Sequence, residues 1–197
     1  MDRRNALKAL TFSAGSIIAT PTLLQVLVSC SKEKGLSWYP IFLNMSQAIV
    51  LEQITDIILP KTDTLGALDV NIPQFLDVLL NDVVTKVEQE NFTKGGIAFQ
   101  QAFKSLFKKD ISEASTTEIK KMISRYFDLN EEDQSKVYNL VGSTPEEIND
   151  LDNYYLYKYL FFIRYYAVFA YMTSQEVKEG ILGFNPYLGT YTACISR

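Results

Sequence analysis

The feature that most constrains the fold is an aromatic-rich stretch near the C-terminus. Residues Tyr154–Met172 contain ten of the 25 aromatic residues of the 197-residue chain and only two charged residues, Lys158 and Arg164. Such a stretch can span a membrane, form the central helix of a bundle, or turn one face to a partner protein. Two charges inside the hydrocarbon would be costly, and Tyr prefers membrane interfaces. The central-helix interpretation is therefore favoured, and it is compatible with a face exposed to a partner.

The sequence before this stretch predicts further helices. Apolar residues recur at helical spacing over residues 46–59, 73–90, 97–107, 116–127 and 130–141. Pro60 ends the first of these helices, and Pro73 suits the first turn of the second. No run with the period of a strand competes with this pattern. We therefore predict an all-α fold: a compact bundle of about six helices with a long central aromatic-rich helix, after an N-terminal signal segment.

Glycines and capping patterns predict the ends of several of these helices. Gly95 and Gly96 are expected near the weak start of the third helix, and Gly142 is expected to close the fifth in a left-handed conformation. Thr144–Glu147 has the pattern of a capping box with proline at the first helical position. This box is predicted to open the aromatic helix.

The first 29 residues predict an export signal. Arg3 and Arg4 begin a segment that resembles the twin-arginine motif, although Asp2 and Ala6 depart from it, and a mildly apolar stretch follows over residues 9–28. Twin-arginine transport carries folded proteins. The motif therefore predicts a chain that crosses a membrane already folded and already bound to a partner.

Cys30 follows Leu27-Val28-Ser29 and completes the pattern of a bacterial lipobox. The cysteine of such a motif receives a diacylglyceryl group, whose buried methylene groups contribute about 0.8 kcal/mol each to membrane binding. An uncleaved membrane anchor and an ordinary signal peptide with a chance cysteine are the alternatives. We predict a signal peptide over 1–29, a lipidated cysteine and tether over 30–45, and a helical domain over 46–197. The expected location is the bacterial cell envelope, on the periplasmic side, with the lipid on Cys30 holding the chain to a membrane.

Composition argues against catalysis by this chain alone. The chain has no histidine and only two cysteines, Cys30 and Cys194, which removes Ser-His-Asp systems, His-bearing zinc sites and iron–sulfur clusters. Asp63 and Asp69 flank a turn, but nothing nearby in the sequence supplies an apolar pocket or a partner base that would perturb a pKa. Loss of residues 1–29 removes three basic and one acidic residue, so the net charge moves from −4 to −6. We predict no metal, no cofactor and no nucleic acid bound by this chain.

Two loop segments resemble a known family. Leu59–Ala67 is similar to the "iP-x-TDTPGA" segment of the gluconate 2-dehydrogenase subunit 3 family, with Leu65 in place of the usual proline. Tyr171–Gln175 and Gly183–Tyr191, followed by Cys194, resemble the family's closing "yfTSe…Gy-x-p…G-x-Y…C" pattern. The matching residues taken as candidate site residues are Pro60, Thr62, Asp63, Thr64, Gly66, Gly183, Pro186, Tyr187, Gly189 and Tyr191.

The resemblance implies a small, all-helical, non-catalytic subunit. It implies a partner that is an FAD-dependent dehydrogenase of the glucose-methanol-choline group, often with a cytochrome c subunit, so FAD is expected in the partner. It also implies help with the folding and export of that flavoprotein. Within the motifs, structural roles are favoured: Thr62, Asp63 and Thr64 to satisfy backbone donors, and Gly66 to adopt a backbone conformation closed to other residues. Tyr187 and Tyr191 are candidate contacts.

Two other functions stay open at this point. The first is a free-standing envelope lipoprotein that binds a small ligand or a carbohydrate through its aromatic residues. The second is an enzyme that uses carboxylates alone.

Overall fold

The computed structural model describes residues 36–183, which form α-helices joined by short turns and include no strand. The prediction of an all-α fold is confirmed. The α-helices of this region are α1 Met45–Ile58, α2 Ile72–Asp82, α3 Lys86–Phe107, α4 Thr116–Phe127, α5 Glu131–Gly142, α6 Leu151–Thr173 and α7 Gln175–Gly180; short 3₁₀ helices lie at Ile111–Glu113 and Pro145–Glu147.

The aromatic helix α6 occupies the centre of the bundle. Its most extensive interface is with α3, and it also packs against α1, α2, α5 and α7. Leu160, Ile163 and Ala167 of α6 are fully buried, and each large apolar side chain buried in this way contributes about 1.5–3 kcal/mol. None of the helices between residues 36 and 183 combines the length and the apolar character of a membrane span.

The backbones of α3 and α6 approach closely at Gly95. A Cβ atom on Gly95 would lie 2.5 Å from the Cβ of Tyr159 and would overlap the carbonyl oxygen of Tyr155. Phe92, about one turn earlier on α3, packs its ring against Tyr159 at 4.8 Å and against Phe162 at 5.2 Å between centroids. Lower residue numbers on α3 thus face higher numbers on α6, so the two helices run antiparallel.

The prediction of a single helix over residues 73–90 is wrong, because two helices, α2 and α3, share this range. A capping box opens α3: the Thr85 hydroxyl accepts from the backbone N–H of Glu88, and the Glu88 carboxylate accepts from the N–H of Thr85 at 2.9 Å. The predicted helix start near Gly95 and Gly96 is wrong for the same reason. Both glycines are buried in the interior of α3, and at Gly95 the absence of a side chain permits the contact with α6.

Two further predicted helix ends differ from the structure. Gly142 ends α5 without a positive φ, since the chain leaves this helix through an extended residue. The Thr144–Glu147 capping box is present, but it opens only a short 3₁₀ helix. Asp150 caps α6 instead, where its carboxylate accepts from the N–H of Asn153 at 3.1 Å.

Residues 36–44, which the sequence assigns to the tether, lie against the helical core. The backbone N–H groups of residues 41–43 all donate to the carboxylate of Asp77, a residue of α2 that is 1% exposed. The indole N–H of Trp38 donates to the carboxylate of Glu52 on α1 at 2.8 Å. Hydrogen bonds from several N–H groups stabilise a buried carboxylate. This segment is therefore held in place on the domain.

We expect Gly95→Ala to destabilise the protein by about 1–3 kcal/mol, because the added methyl group forces α3 and α6 apart. Urea unfolding followed by circular dichroism measures the change. Gly142→Ala is the matched control, since no atom lies within 4 Å of its added Cβ; we expect it to be neutral or to stabilise by up to about 1 kcal/mol. Equal effects of the two substitutions would contradict the close approach at Gly95.

Candidate partner-binding site

The turn that joins α1 to α2 carries the first of the two sequence motifs. Its backbone is closed by a hydrogen bond from Ala67 N–H to the carbonyl oxygen of Leu59 at 2.8 Å. The carboxylate of Asp69 accepts from the Lys61 ammonium at 2.7 Å and from the Gly66 N–H at 2.8 Å. Lys61 and, next, Gly66 lower the pKa of Asp69, so this carboxylate remains ionised at neutral pH. Its contacts are those of a turn residue.

Gly66 is required in this turn because a side chain would not fit there. A Cβ atom on Gly66 would lie 2.6 Å from the backbone nitrogen of Lys61 and 3.1 Å from the carbonyl oxygen of Leu59. Its φ does not lie in the left-handed region, which among the described glycines is occupied by Gly183 alone. The predicted reason for glycine here is therefore wrong. The residue is needed because two parts of the turn touch.

The other motif residues of the turn, Pro60, Thr62, Asp63 and Thr64, are exposed. The Thr62 hydroxyl accepts a hydrogen bond from the Thr64 N–H at 3.4 Å. Thr62 thus satisfies one backbone donor of the turn, which is the role predicted for it. Asp63 makes no hydrogen bond with any described residue. Sequence reasoning missed that Asp69 satisfies the Gly66 donor. The signal was its position three residues after the glycine, the spacing at which a turn side chain reaches back to the backbone.

Tyr171 joins the two motif segments in space. Its hydroxyl donates to the carbonyl oxygen of Leu65 at 2.6 Å, although 106 residues separate the two in sequence. Tyr171 lies near the end of α6, where the second motif begins, and Leu65 lies in the turn of the first. The structure thus brings the beginning of the second motif against the first.

A stripe of exposed apolar side chains runs along the C-terminal half of α6. The stripe consists of Tyr165, Val168, Phe169 and Met172, which are exposed by 66%, 41%, 49% and 46%. Their spacing of i, i+3, i+4 and i+7 places them on one face of the helix. The opposite face, with Ile163, Ala167 and Ala170, is buried. This half of α6 is apolar on both faces.

The stripe continues the face of α6 on which Tyr157 and Phe161 pack against Tyr126, Phe127 and Tyr138 of α4 and α5. Glu88, in the first turn of α3, lines a groove together with Phe161 and Tyr165 of α6. Because the two helices are antiparallel, α3 begins close to Tyr165 and does not extend along the last two turns of α6. Arg164, beside the stripe, is exposed and places its guanidinium 5.2 Å from the ring centroid of Phe127.

The described residues offer no site for a metal ion. Between residues 36 and 183 there is no group of three or more aspartate, glutamate or cysteine side chains placed to hold one. The most strongly perturbed tyrosine in this region is Tyr159, whose pKa is raised because its side chain is buried. A buried, protonated phenol contributes packing and a hydrogen-bond donor.

The sequence model of the family described as Gluconate 2-dehydrogenase subunit 3 matches residues 45–189. This range includes all seven described helices, the turn after α1 and the stripe on α6. Comparison with curated protein sequences and with solved structures gives no match.

The chain belongs to the gluconate 2-dehydrogenase subunit 3 family. The resemblance drawn from the two loop segments is thereby confirmed. A family of dehydrogenase subunits implies association with other subunits of such a complex.

Several predicted residues of this subunit 3 chain lie outside the described part. Arg3, Arg4 and Cys30 precede it. Four residues of the second motif, Pro186, Tyr187, Gly189 and Tyr191, follow it, as does Cys194. Gly183 is the last described residue; it is exposed, has a φ of +63° and has no atom within 4 Å of its Cβ position. A positive φ is accessible to glycine at little cost.

Replacement of Tyr171 by Phe tests the link between the two motif segments. We expect Tyr171→Phe to destabilise this subunit 3 chain by about 1 kcal/mol, because it leaves the Leu65 carbonyl without its donor. The free energy of unfolding in urea is the measurement. Tyr138→Phe, at an exposed tyrosine on α5, is the control and should change the stability little. An unchanged stability in Tyr171→Phe would show that the hydrogen bond does not hold the two segments together.

Proposed function

We propose that this chain is the non-catalytic small subunit of a membrane-associated, FAD-dependent dehydrogenase of the gluconate type. The observation that carries the proposal is the family match over residues 45–189, which includes every described helix. In this proposal the FAD and the oxidation chemistry belong to a flavoprotein partner of the glucose-methanol-choline group, and a cytochrome c subunit accepts the electrons where one is present. The absence of histidine from the whole sequence supports a non-catalytic role.

The α6 stripe is the surface we propose for the flavoprotein. Tyrosine, phenylalanine, methionine and arginine are enriched at protein–protein interfaces, and the stripe with Arg164 beside it consists largely of these residue types. The side chains project from a helix whose other face is anchored in the core by Ile163 and Ala167. A partner would therefore meet a preformed surface, which lowers the entropic cost of binding.

The exposed motif residues of the turn after α1 extend this proposal. Tyr171 connects that turn to the end of α6, so Thr62, Asp63 and Thr64 are held by the same part of the structure that presents the stripe. Exposed, well-positioned loop residues are typical of binding sites. We propose that they form a polar margin of the contact with the flavoprotein.

Export and anchoring complete the proposed role. The twin-arginine segment with Arg3 and Arg4 would carry the folded complex across the membrane, and acylation of Cys30 would hold it on the periplasmic side. Both features are supported by the sequence of the first thirty residues.

A cavity favours a second candidate function, the binding of a small neutral ligand. The cavity has a volume of about 280 Å³ and is lined by Phe42, Gln47, Phe92, Phe99, Gln100 and Tyr159 among others. Small-molecule sites are commonly about 300–1,000 Å³, so this one lies just below their usual size. The family match favours the subunit role, and the cavity would be a site for a small aromatic molecule only.

Co-purification tests the subunit role. We expect the tagged full-length chain, purified from its native envelope, to bring down a yellow flavoprotein with the absorption spectrum of FAD. The double variant Tyr165→Ser/Phe169→Ser should reduce that recovery at least about tenfold, because hot-spot side chains each contribute about 1–2 kcal/mol or more to binding. The flavin absorbance recovered per mole of tagged chain is the measurement.

The control is Ile97→Ser/Leu106→Ser, which removes two apolar side chains exposed by 48% and 43% on the part of α3 that lies away from the stripe. Its flavoprotein recovery should equal that of the unaltered chain. If the unaltered chain recovers no flavoprotein, the subunit role is wrong. If the stripe variant and the control recover equal amounts, the subunit role can stand but the stripe is not the contact.

A further inference from the structure

The segment between the predicted lipid site and α1 presents two apolar side chains to solvent. Tyr39 is 89% exposed, which is the largest exposure among the described large hydrophobic residues, and Ile41 is 63% exposed. Their neighbours point the other way: Trp38 and Phe42 are partly buried and pack against the core. The segment therefore alternates between residues held on the domain and residues turned away from it.

A buried carboxylate fixes this arrangement. Asp77 accepts hydrogen bonds from the N–H groups of residues 41–43, including Phe42 at 3.1 Å and Leu43 at 2.9 Å. Trp38 is fixed separately through its indole N–H to Glu52. The backbone on both sides of Tyr39 is thus tied to the helices. The two exposed side chains are presented by a positioned loop, which the flavoprotein proposal does not use.

We propose that Tyr39 and Ile41 insert into the interfacial layer of the lipid bilayer that holds the acyl groups of Cys30. The inference rests on the lipid attachment put forward under the proposed function. Nine residues separate Cys30 from Tyr39, a distance of at most about 30 Å for an extended chain. A lipid on Cys30 therefore keeps this loop within reach of the membrane surface at all times.

The chemistry of the loop suits a bilayer interface. Tyrosine is enriched at the level of the lipid headgroups, because its ring is apolar and its hydroxyl stays hydrated. Isoleucine supplies apolar area for the layer beneath. Residues 36–44 contain no charged side chain, and the two nearest carboxylates engaged by the loop, Glu52 and Asp77, are occupied by hydrogen bonds. Insertion would thus bury no unpaired charge of the loop.

A second contact between the domain and the membrane would also limit how the domain rotates about its lipid attachment. A lipid tether alone leaves the domain free to rotate about its attachment point. A loop that is fixed to the helices and inserted in the membrane would restrict that rotation and set which side of the domain faces the bilayer.

Trp38 provides the probe, because it is the only tryptophan in the chain. The processed, lipid-bearing chain is purified from its native envelope, separated from any flavoprotein so that Trp38 is the only indole in the sample, and reconstituted in phosphatidylcholine vesicles whose acyl chains carry bromine near the headgroup. Bromine quenches indole emission on close approach. We expect clear quenching of Trp38 relative to vesicles without bromine, and loss of most of that quenching in Tyr39→Ser/Ile41→Ser. Tyr138→Ser/Val87→Ser should be quenched like the unaltered chain.

The outcomes separate this inference from the subunit proposal. Absence of quenching in the unaltered chain overturns the insertion, as does equal quenching in the loop variant, and so does a mass spectrum of the processed chain that shows no acyl group on Cys30. Loss of flavoprotein recovery in the loop variant, without quenching in the unaltered chain, would assign the loop to the protein partner instead. Flavoprotein recovery in the stripe variant reports on the subunit proposal alone. Circular dichroism verifies that each variant is folded.

Discussion

The close approach of α3 and α6 at Gly95 determines much of the remaining structure. Only a residue without a side chain allows the α6 backbone at Tyr155 to lie where it does. With the backbones this close, the ring of Tyr159 packs against those of Phe92 and Phe99, at 4.8 Å and 5.7 Å between centroids. The crossing therefore fixes the register of the two longest helices. That register in turn decides which part of α6 is covered by α3.

The exposed stripe lies on the face of α6 that packs against α4 and α5 one to two turns earlier, at Tyr157 and Phe161. α3 begins near Tyr165 in space, so α6 continues beyond it for about two turns with its apolar composition unchanged. A helix in this position would ordinarily change to polar residues on its free face. Here Val168, Phe169 and Met172 remain apolar and exposed. Contiguous exposed apolar side chains of this kind are typical of interaction sites, which is the physical ground for proposing another subunit as the neighbour of that face.

Local patterns were sufficient to predict the helical class and several helices, whereas tertiary contacts were not readable from them. The first helix and the one over residues 116–127 were predicted to within a residue or two of α1 and α4, because their apolar period and caps are strong. The capping box at Thr85 encodes a break, which the continuous apolar stripe over residues 73–90 conceals. The sequence analysis explains Gly95 and Gly66 only by the local backbone preferences of glycine. Each glycine is in fact required by a neighbour that the sequence does not reveal. Gly95 is required by the backbone of α6, and Gly66 by the opposite side of its own turn.

Buried polar groups connect the candidate surfaces to the core. Asp77 holds the loop that bears Tyr39, and Tyr171 with Asp69 holds the turn beside the stripe. Asp77 did not stand out in the sequence, because a lone aspartate on a helix is most often a surface residue, and Tyr171 stood out only as the first residue of the second motif segment. Their effect is to remove conformational freedom from segments that would otherwise move as ordinary loops. Since an ordered surface loses less entropy on binding than a mobile one, exposed apolar groups on such fixed supports are better suited to docking than equally exposed groups on free loops. By that criterion Tyr39 and Ile41 belong with the stripe as interaction surfaces, whereas single exposed apolar residues elsewhere need no such explanation.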